Sequence, residues 1–358
     1  MGVRDWLAAV DVSGRRAGSS SVYQAVEKET VSRPGLAGLT TRAGLGRGWG
    51  IVREVPMLPV VLIGAGLLAL SVDGFATAAN GQIIMRQLAV LVIAATGETL
   101  VLLIAGIDLS VGSVIGLGSV LGTSVILATG SPTLGLLVCV GTGALIGAFN
   151  GLTISRLGVP PMILTLGTML TARATAFLVT GGRSIGGLPA DVLEFGRADW
   201  LGVPTVFVIS AGAALLVAFI LNRTVFGQSI YLVGSNERAA AFSGIPVRRV
   251  KFLVYFIGGI LSGLASFVFL LRIGAAMPTA GDPLLLLVIG SVVVGGTSLM
   301  GGEGGVFRTV TGAALIMMIV NGLSLIGASY YVQDVVSGVV IVVGSALGVW
   351  LVRARTGE

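Results

Sequence analysis

The chain has 358 residues, 54% of them hydrophobic and only 11% charged, where a soluble domain carries about 25% charged residues. Most of its surface therefore does not face water. Histidine is absent and Cys139 is the only cysteine, which excludes disulfide frameworks, Cys/His metal sites and His-dependent catalysis. The net charge of +6 reads as loop charge that sets topology, not as a nucleic-acid surface. Glycine, at 56 residues, is about twice its ordinary usage and suits membrane helices whose backbones approach closely. The composition predicts an all-α polytopic membrane protein.

Residues 1–54 are polar, Ser/Gly/Arg-rich and without a sustained period. They are read as a disordered cytoplasmic extension, too long for the charged region of a signal peptide, so the first span is expected to be retained. With about 20 apolar residues needed per crossing, spans are expected near 55–72, 84–104, 111–129, 133–155, 160–180, 203–221, 251–272, 283–300, 306–327 and 332–352. Ten spans define a permease domain over 55–352, with a short tail at 353–358. The segments 111–129 and 283–300 also read as possible re-entrant or broken helices.

Charge orients these spans. The first 53 residues hold eight Lys/Arg against four acids, a net of +4. The 222–251 loop has Arg223, Arg238, Arg248, Arg249 and Lys251 against Glu237, again +4. The 181–202 loop is net −1, with Arg183 and Arg197 against Asp191, Glu194 and Asp199. Ten spans with both termini inside put both basic segments and the Arg353/Arg355 tail on one face.

Within the basic loop, "GSNERAAAFSGIPVRR" (234–249) predicts a short helix outside the bilayer. Asn236 is a good N-cap, Glu237 suits the helix dipole, Gly244 stands at the C′ position and Pro246 forbids continuation. Two readings are open from these residues: a surface connector, or a docking knob in which Ala239 and Ala240 allow close approach and Phe242 is the anchor. The only lysines are Lys28 and Lys251 and neither follows a Gly-x-x-x-x-Gly, so there is no Walker A loop. ATP-driven transport would need an ATPase on another chain. The "GGTSLMGGEGG" cluster (295–305) reads as a tight hairpin between helices, not a phosphate cradle.

Several longer stretches resemble a known family. "GETLVLLIAGIDLSVGSVIGL" (97–117) is similar to the signature of the permeases of ribose-type ABC importers, which include xylose, arabinose and galactose permeases. "GAFNGLTISRLGVPPMILTLGTMLTARATAFLVTGG" (147–182) and "GQSIYLVGSNERAAAFSGIPVRRVKFLVY" (227–255) resemble further family segments, as do "PTAG" (278–281), "VVVGGTSLMGGEG" (292–304) and "NGLSLIG" (321–327). Where family members follow "PTAG" with a Tyr-Glu-Leu-Asp-Ala-Ile-Ala-type stretch, this chain has "DPLLLLVIGS" (282–291), with Asp282 its only acid. The resemblance implies the fold of type II-like importer permeases in the bacterial inner membrane. It implies as partners cytoplasmic ATPase subunits that carry ATP and Mg, an extracytoplasmic sugar-binding protein, and a second permease copy or a homologous permease. No cofactor is expected on this chain. By the same resemblance, the helix matched by Asn236, Glu237, Arg238, Ala239, Ala240, Phe242, Ser243 and Gly244 is a coupling helix. The solute expected is a monosaccharide, pentoses first. An ATP-independent carrier or channel, or a branched-chain amino acid permease, is the alternative.

Glu98 and Arg173 are ionisable residues inside expected spans and thus functional candidates, as an ion pair or as structural polar contacts. Asn150, Thr165, Thr168 and Asn321 are neutral hydrogen-bonding candidates for a sugar pathway, interhelical bonding being the other role. Asn-Gly-Leu recurs at 150 and 321, and "AGIDL" (105–109) is echoed by "AGDPL" (280–284), which points to inverted repeats. Asp108, or the following Ser110, is read as the cap of a helix starting at 109–111, with direct substrate contact as the alternative for Asp108.

Overall fold

The computed structural model describes residues 55–356. The expected extension, residues 1–54, lies outside the described residues, as do 357–358. The chain is built of helices α1 (Leu58–Ser71), α2 (Ala78–Leu103), α3 (Val111–Thr129), α4 (Pro132–Leu152), α5 (Pro161–Thr180), α6 (Ala190–Arg197), α7 (Thr205–Arg223), α8 (Val225–Ser235), α9 (Glu237–Phe242), α10 (Val247–Ile273), α11 (Asp282–Val294), α12 (Val306–Leu325) and α13 (Tyr330–Thr356). A two-residue hairpin, β1 (Asp199–Trp200) with β2 (Val203–Pro204), is the strand pair.

Seven described helices are long and apolar enough to cross a membrane: α2, α3, α4 with its π-helical end, α5, α7, α10 and α12. α1 and α11 are shorter, and α13 runs for 27 residues. Each of the ten expected segments overlaps a helix, but α1 and α11 fall below the length of a span. α11 is cut most, from the expected 283–300 to 13 residues. At 1.5 Å per residue it reaches only about 20 Å of a ~30 Å hydrocarbon core. Its end is a turn: Thr297 donates its N–H to the Val292 carbonyl at 3.1 Å, and Gly296 and Gly301 take positive φ.

Local chemistry sets the helix boundaries. The Thr77 hydroxyl accepts from the Asn80 N–H to start α2, and the Ser131 hydroxyl from the Leu134 N–H to start α4. Left-handed glycines at 130, 181 and 274 end α3, α5 and α10.

Close glycine approach then organises the core. α4 lies on α10 so tightly that a Cβ on Gly143 or Gly147 would strike the backbone of Gly259. A Cβ on Gly151 would strike that of Phe252. Gly97 of α2 meets Gly258 of α10, and Gly106 just beyond α2 meets Tyr255, so α2 and α10 run antiparallel. The packing partners form matched sets. α10 packs on α4 and α3, as α2 packs on α12 and α11. α3 packs on α4 and α5, as α11 packs on α12 and α13. The starts of α3 and α11 meet directly, with Gly112 against the Gly281 backbone.

Two elements were missed in the loops. α8 fills part of 222–251, capped by Thr224, whose hydroxyl accepts from the Gly227 N–H at 3.1 Å. Its buried face is Gly227, Ile230 and Val233, an i, i+3, i+6 pattern that hydropathy counting over a span-length window averages away. α6 and the β1–β2 hairpin fill most of 181–204, pinned by Arg86, which donates to the Gly196 and Arg197 carbonyls and pairs with Asp199 at 2.7 Å.

Candidate functional site

The segment between α2 and α3 gathers several buried polar side chains. Two residues beyond α2 stands Ala105, a non-glycine residue with φ 57°, a conformation that costs an L-residue roughly 1–2 kcal/mol. The Gly106 N–H is satisfied by the Val101 carbonyl at 3.0 Å. The chain then turns through Asp108, whose Oδ1 accepts from the Ser110 N–H at 2.8 Å and the Ser110 hydroxyl at 2.6 Å. Ser110 stands at the N-cap of α3 but makes no side-chain cap bond of its own; its hydroxyl is given to Asp108. The Asp108 N–H donates to Glu98 Oε1 at 3.2 Å. Asn150 Nδ2 of α4 donates to the Ser110 hydroxyl oxygen at 3.3 Å, and the Thr165 hydroxyl of α5 donates to the Ile107 carbonyl at 3.2 Å. Glu98, Asp108, Ser110, Asn150 and Thr165 are all at most 4% exposed. Four helices are thus tied through one seven-residue turn, 104–110.

A test of this junction follows from hydrogen-bond accounting. Glu98→Gln keeps an acceptor for the Asp108 N–H, whereas Glu98→Leu leaves that donor buried and unpaired, at about 1–3 kcal/mol. In detergent, the Leu variant is expected to unfold several degrees below the Gln variant; equal melting temperatures would show that the bond carries no weight.

The second region is the 236–251 turn. Asn236 Oδ1 accepts from the Ala239 N–H at 3.0 Å to start α9. Gly244 takes φ 82°, and the Ile245 N–H returns to the Ala240 carbonyl at 3.1 Å. Lys251 of α10 pairs with Glu237 at 2.7 Å, which fastens the short helix to the long one. Phe242 is 93% exposed at its tip, while Ala240 is 4% exposed and faces inward.

Comparison with known proteins decides the family. The family described as branched-chain amino acid transport system / permease component matches residues 82–344. The ribose import permease protein of Bacillus subtilis is 39% identical over 266 residues, covering 74% of this chain and 83% of that protein. The chain belongs to the sugar-type ABC importer permeases. The D-allose transport system permease protein of Escherichia coli is 36% identical over 280 residues, covering 78% and 86%. The fructose import permease protein of Rhizobium meliloti is 32% identical over 306 residues, covering 82% and 85%. No solved structure matches.

Within this permease the sequence candidates separate. Of the two readings of Glu98 and Arg173, the ion pair between them is not formed. Arg173 pairs with Asp282 at 2.9 Å and lies over the Phe177 ring, because α5 carries it toward the start of α11, away from the α2–α3 turn. Asn321 exchanges reciprocal 2.9 Å hydrogen bonds with Asn80, an amide pair joining α12 to α2 that sequence reading did not single out. Thr168 is half-buried and lines a groove of about 640 Å³ together with Thr171, Thr175, Leu117, Ile146 and Phe149. Of the six pathway candidates, Thr168 and Arg173 reach the surface of this chain, and Glu98, Asn150, Thr165 and Asn321 are enclosed by it. Tyr255, fully buried beside Gly106, joins the junction without having been a candidate; an interior tyrosine in a glycine-rich helix was the available signal.

The 295–305 cluster forms the connection between α11 and α12. Ser298 donates its N–H to the Glu303 carbonyl at 2.9 Å, and Gly302 donates its own to the Leu103 carbonyl at 2.9 Å. Tyr231 of α8 donates its hydroxyl to the Gly304 carbonyl at 3.1 Å. The end of α2, the 295–305 turn and α8 are therefore joined at the end of the molecule that leads into α9. Among the described residues no group of three or more His, Cys, Asp or Glu side chains could hold a metal ion.

Proposed function

We propose that this permease passes a monosaccharide, pentoses first, received from an extracytoplasmic binding protein, across the bacterial inner membrane. Its relatives carry the reading: proteins named for ribose, allose and fructose each match over more than 70% of this chain. All three names denote neutral polyols. The α5 face fits such a solute, since Thr168, Thr171 and Thr175 offer hydroxyls without a formal charge along an otherwise apolar groove.

In this reading ten helices cross or enter the bilayer with both termini inside. α2–α5 and α10–α13 are inverted repeats, supported by their matched packing partners and by the meeting of α3 with α11. Asp108 serves as a structural residue of the α2–α3 turn. α9 with Asn236, Glu237, Arg238, Ala239, Phe242, Ser243 and Gly244 is the coupling element toward an ATPase that holds ATP and Mg, with Ala240 as its inward-facing support. A second permease completes the pathway. ATP-driven closure of the ATPases favours one of two pathway conformations through this knob.

Reconstitution tests the reading. In proteoliposomes holding the permease, its ATPase and its binding protein, ATP is expected to drive uptake of labelled ribose or another pentose. Pentose uptake that proceeds equally without ATP, or no uptake of any monosaccharide, would overturn it.

A further inference from the structure

α5 is apolar enough to cross the bilayer, yet it carries a charge at Arg173, and that charge is not enclosed. Arg173 Nη2 stands 2.9 Å from Asp282 Oδ2, with 45% of the arginine side chain and 36% of the aspartate side chain exposed. Glu98 and Asp108 are the contrasting case, at most 4% exposed within the α2–α3 junction. Lipid excludes charge, so ionisable groups that stay accessible within spans line a water-filled space. The pair is held from two sides. Phe177, one turn along α5, carries the guanidinium over its ring at 5.9 Å. Asp282 opens α11 beside Gly281, whose backbone meets that of Gly112. In the topology proposed above, Arg173 lies about 10 Å below the outer end of α5 at Thr180. Two residues turn a helix by about 200°, so Arg173 faces away from Thr171, Thr175 and the threonine groove.

We propose that Arg173 and Asp282 form an outer subsite for the ring of a neutral polyol, one hydroxyl donating to the Asp282 carboxylate and its neighbour accepting from the Arg173 guanidinium. The inference rests on the reading of the solute as a monosaccharide. Charge decides the ligand class. A lone arginine would select an anion and a lone aspartate a cation. Together they carry no net charge, but they set a strong donor and a strong acceptor side by side. A hydroxyl is both donor and acceptor, so vicinal hydroxyls of a sugar can serve both groups at once. Hydrogen bonds to ionised partners are the strong ones, and partners already held in place lose little freedom on binding. A ring bonded to both groups touches α5 and α11 together, so it senses any separation of those helices.

The test uses the full-length permease in nanodiscs, without ATPase or binding protein, and saturation-transfer difference NMR with ribose, xylose and allose. Wild type is expected to transfer magnetisation to the ring protons of at least one of these sugars. Asp282→Asn and Arg173→Gln are each expected to weaken that binding at least tenfold, the loss of one hydrogen bond to a charged group. Arg249→Gln, beside α9, is expected to change nothing. At least one monodeoxy analogue of the sugar that binds is expected to lose about as much as Asp282→Asn does, a comparison that needs no variant to fold. No transfer from wild type to any of the sugars, or equal binding of the sugar and all its monodeoxy analogues, would overturn the subsite. Unchanged binding with a lowered melting temperature in both variants would also overturn it, assigning the pair to holding α5 on α11. ATP-driven uptake by the complete system separates the two claims: pentose uptake with no binding to the permease alone removes the subsite and leaves the monosaccharide reading standing.

Discussion

Gly259→Leu is expected to abolish folded permease. A Cβ at Gly259 would collide with the Gly143 carbonyl oxygen and approach the Cα of Gly147 to 2.8 Å. Both obstacles are backbone, so no side chain can rotate away. Relief requires α4 and α10 to separate, and Gly143, Gly147, Gly151 and Gly263 all lie in that contact. Overpacking in ordinary cores costs about 1–3 kcal/mol; a clash distributed over backbones exceeds what local repacking can absorb. Monodisperse protein on size-exclusion chromatography is expected to fall at least tenfold. Gly141, one residue pair away on α4, has nothing within 4 Å of an added Cβ. Gly141→Ala is therefore expected to be neutral or to gain up to about 1 kcal/mol from helix propensity. Normal yield and melting temperature for Gly259→Leu would show that the helices do not approach as described.

The second large effect concerns coupling. Phe242→Ala is expected to weaken binding of the cognate ATPase by about 30-fold or more and to remove ATP-driven uptake while leaving the permease folded. An aromatic side chain that is 93% exposed contributes almost nothing to the fold of its own chain, whereas central aromatic anchors at interfaces are worth about 2–4 kcal/mol. Ala240→Arg is a different experiment. Ala240 is buried behind α9, so arginine there would displace the helix from α10 and reduce coupling without reporting on the docking surface. ATPase affinity within twofold of wild type for Phe242→Ala would remove Phe242 as the anchor.

Much of this architecture is legible in the chain because the bilayer is a simple solvent. Hydropathy places a helix over every expected segment, since a backbone in lipid must satisfy its own hydrogen bonds. The α9 turn was equally readable: Asn236, Gly244 and Pro246 act through contacts within a few residues. Legibility fails where elements are short or partners distant. α8 carries too few apolar positions to register as a membrane segment and too many to read as a loop. α11 looked longer because Gly295 and Gly296 sit within an apolar run, and only the turn after Val294 shows where it stops.

The amino-acid sequence by itself determined that this is a helical membrane protein without histidine or disulfide chemistry, with a capped knob in a basic loop and the motifs of its family. Only the tertiary structure decided which polar groups meet. It put Arg173 on Asp282, Glu98 on the Asp108 N–H, and Asn321 on Asn80. Partition into lipid is a property of each segment alone, so composition suffices to read it. A polar pair depends on the depth, rotation and crossing of two helices at once. Those are set here by glycine contacts such as Gly143 with Gly259 and Gly112 with Gly281, between residues far apart along the chain.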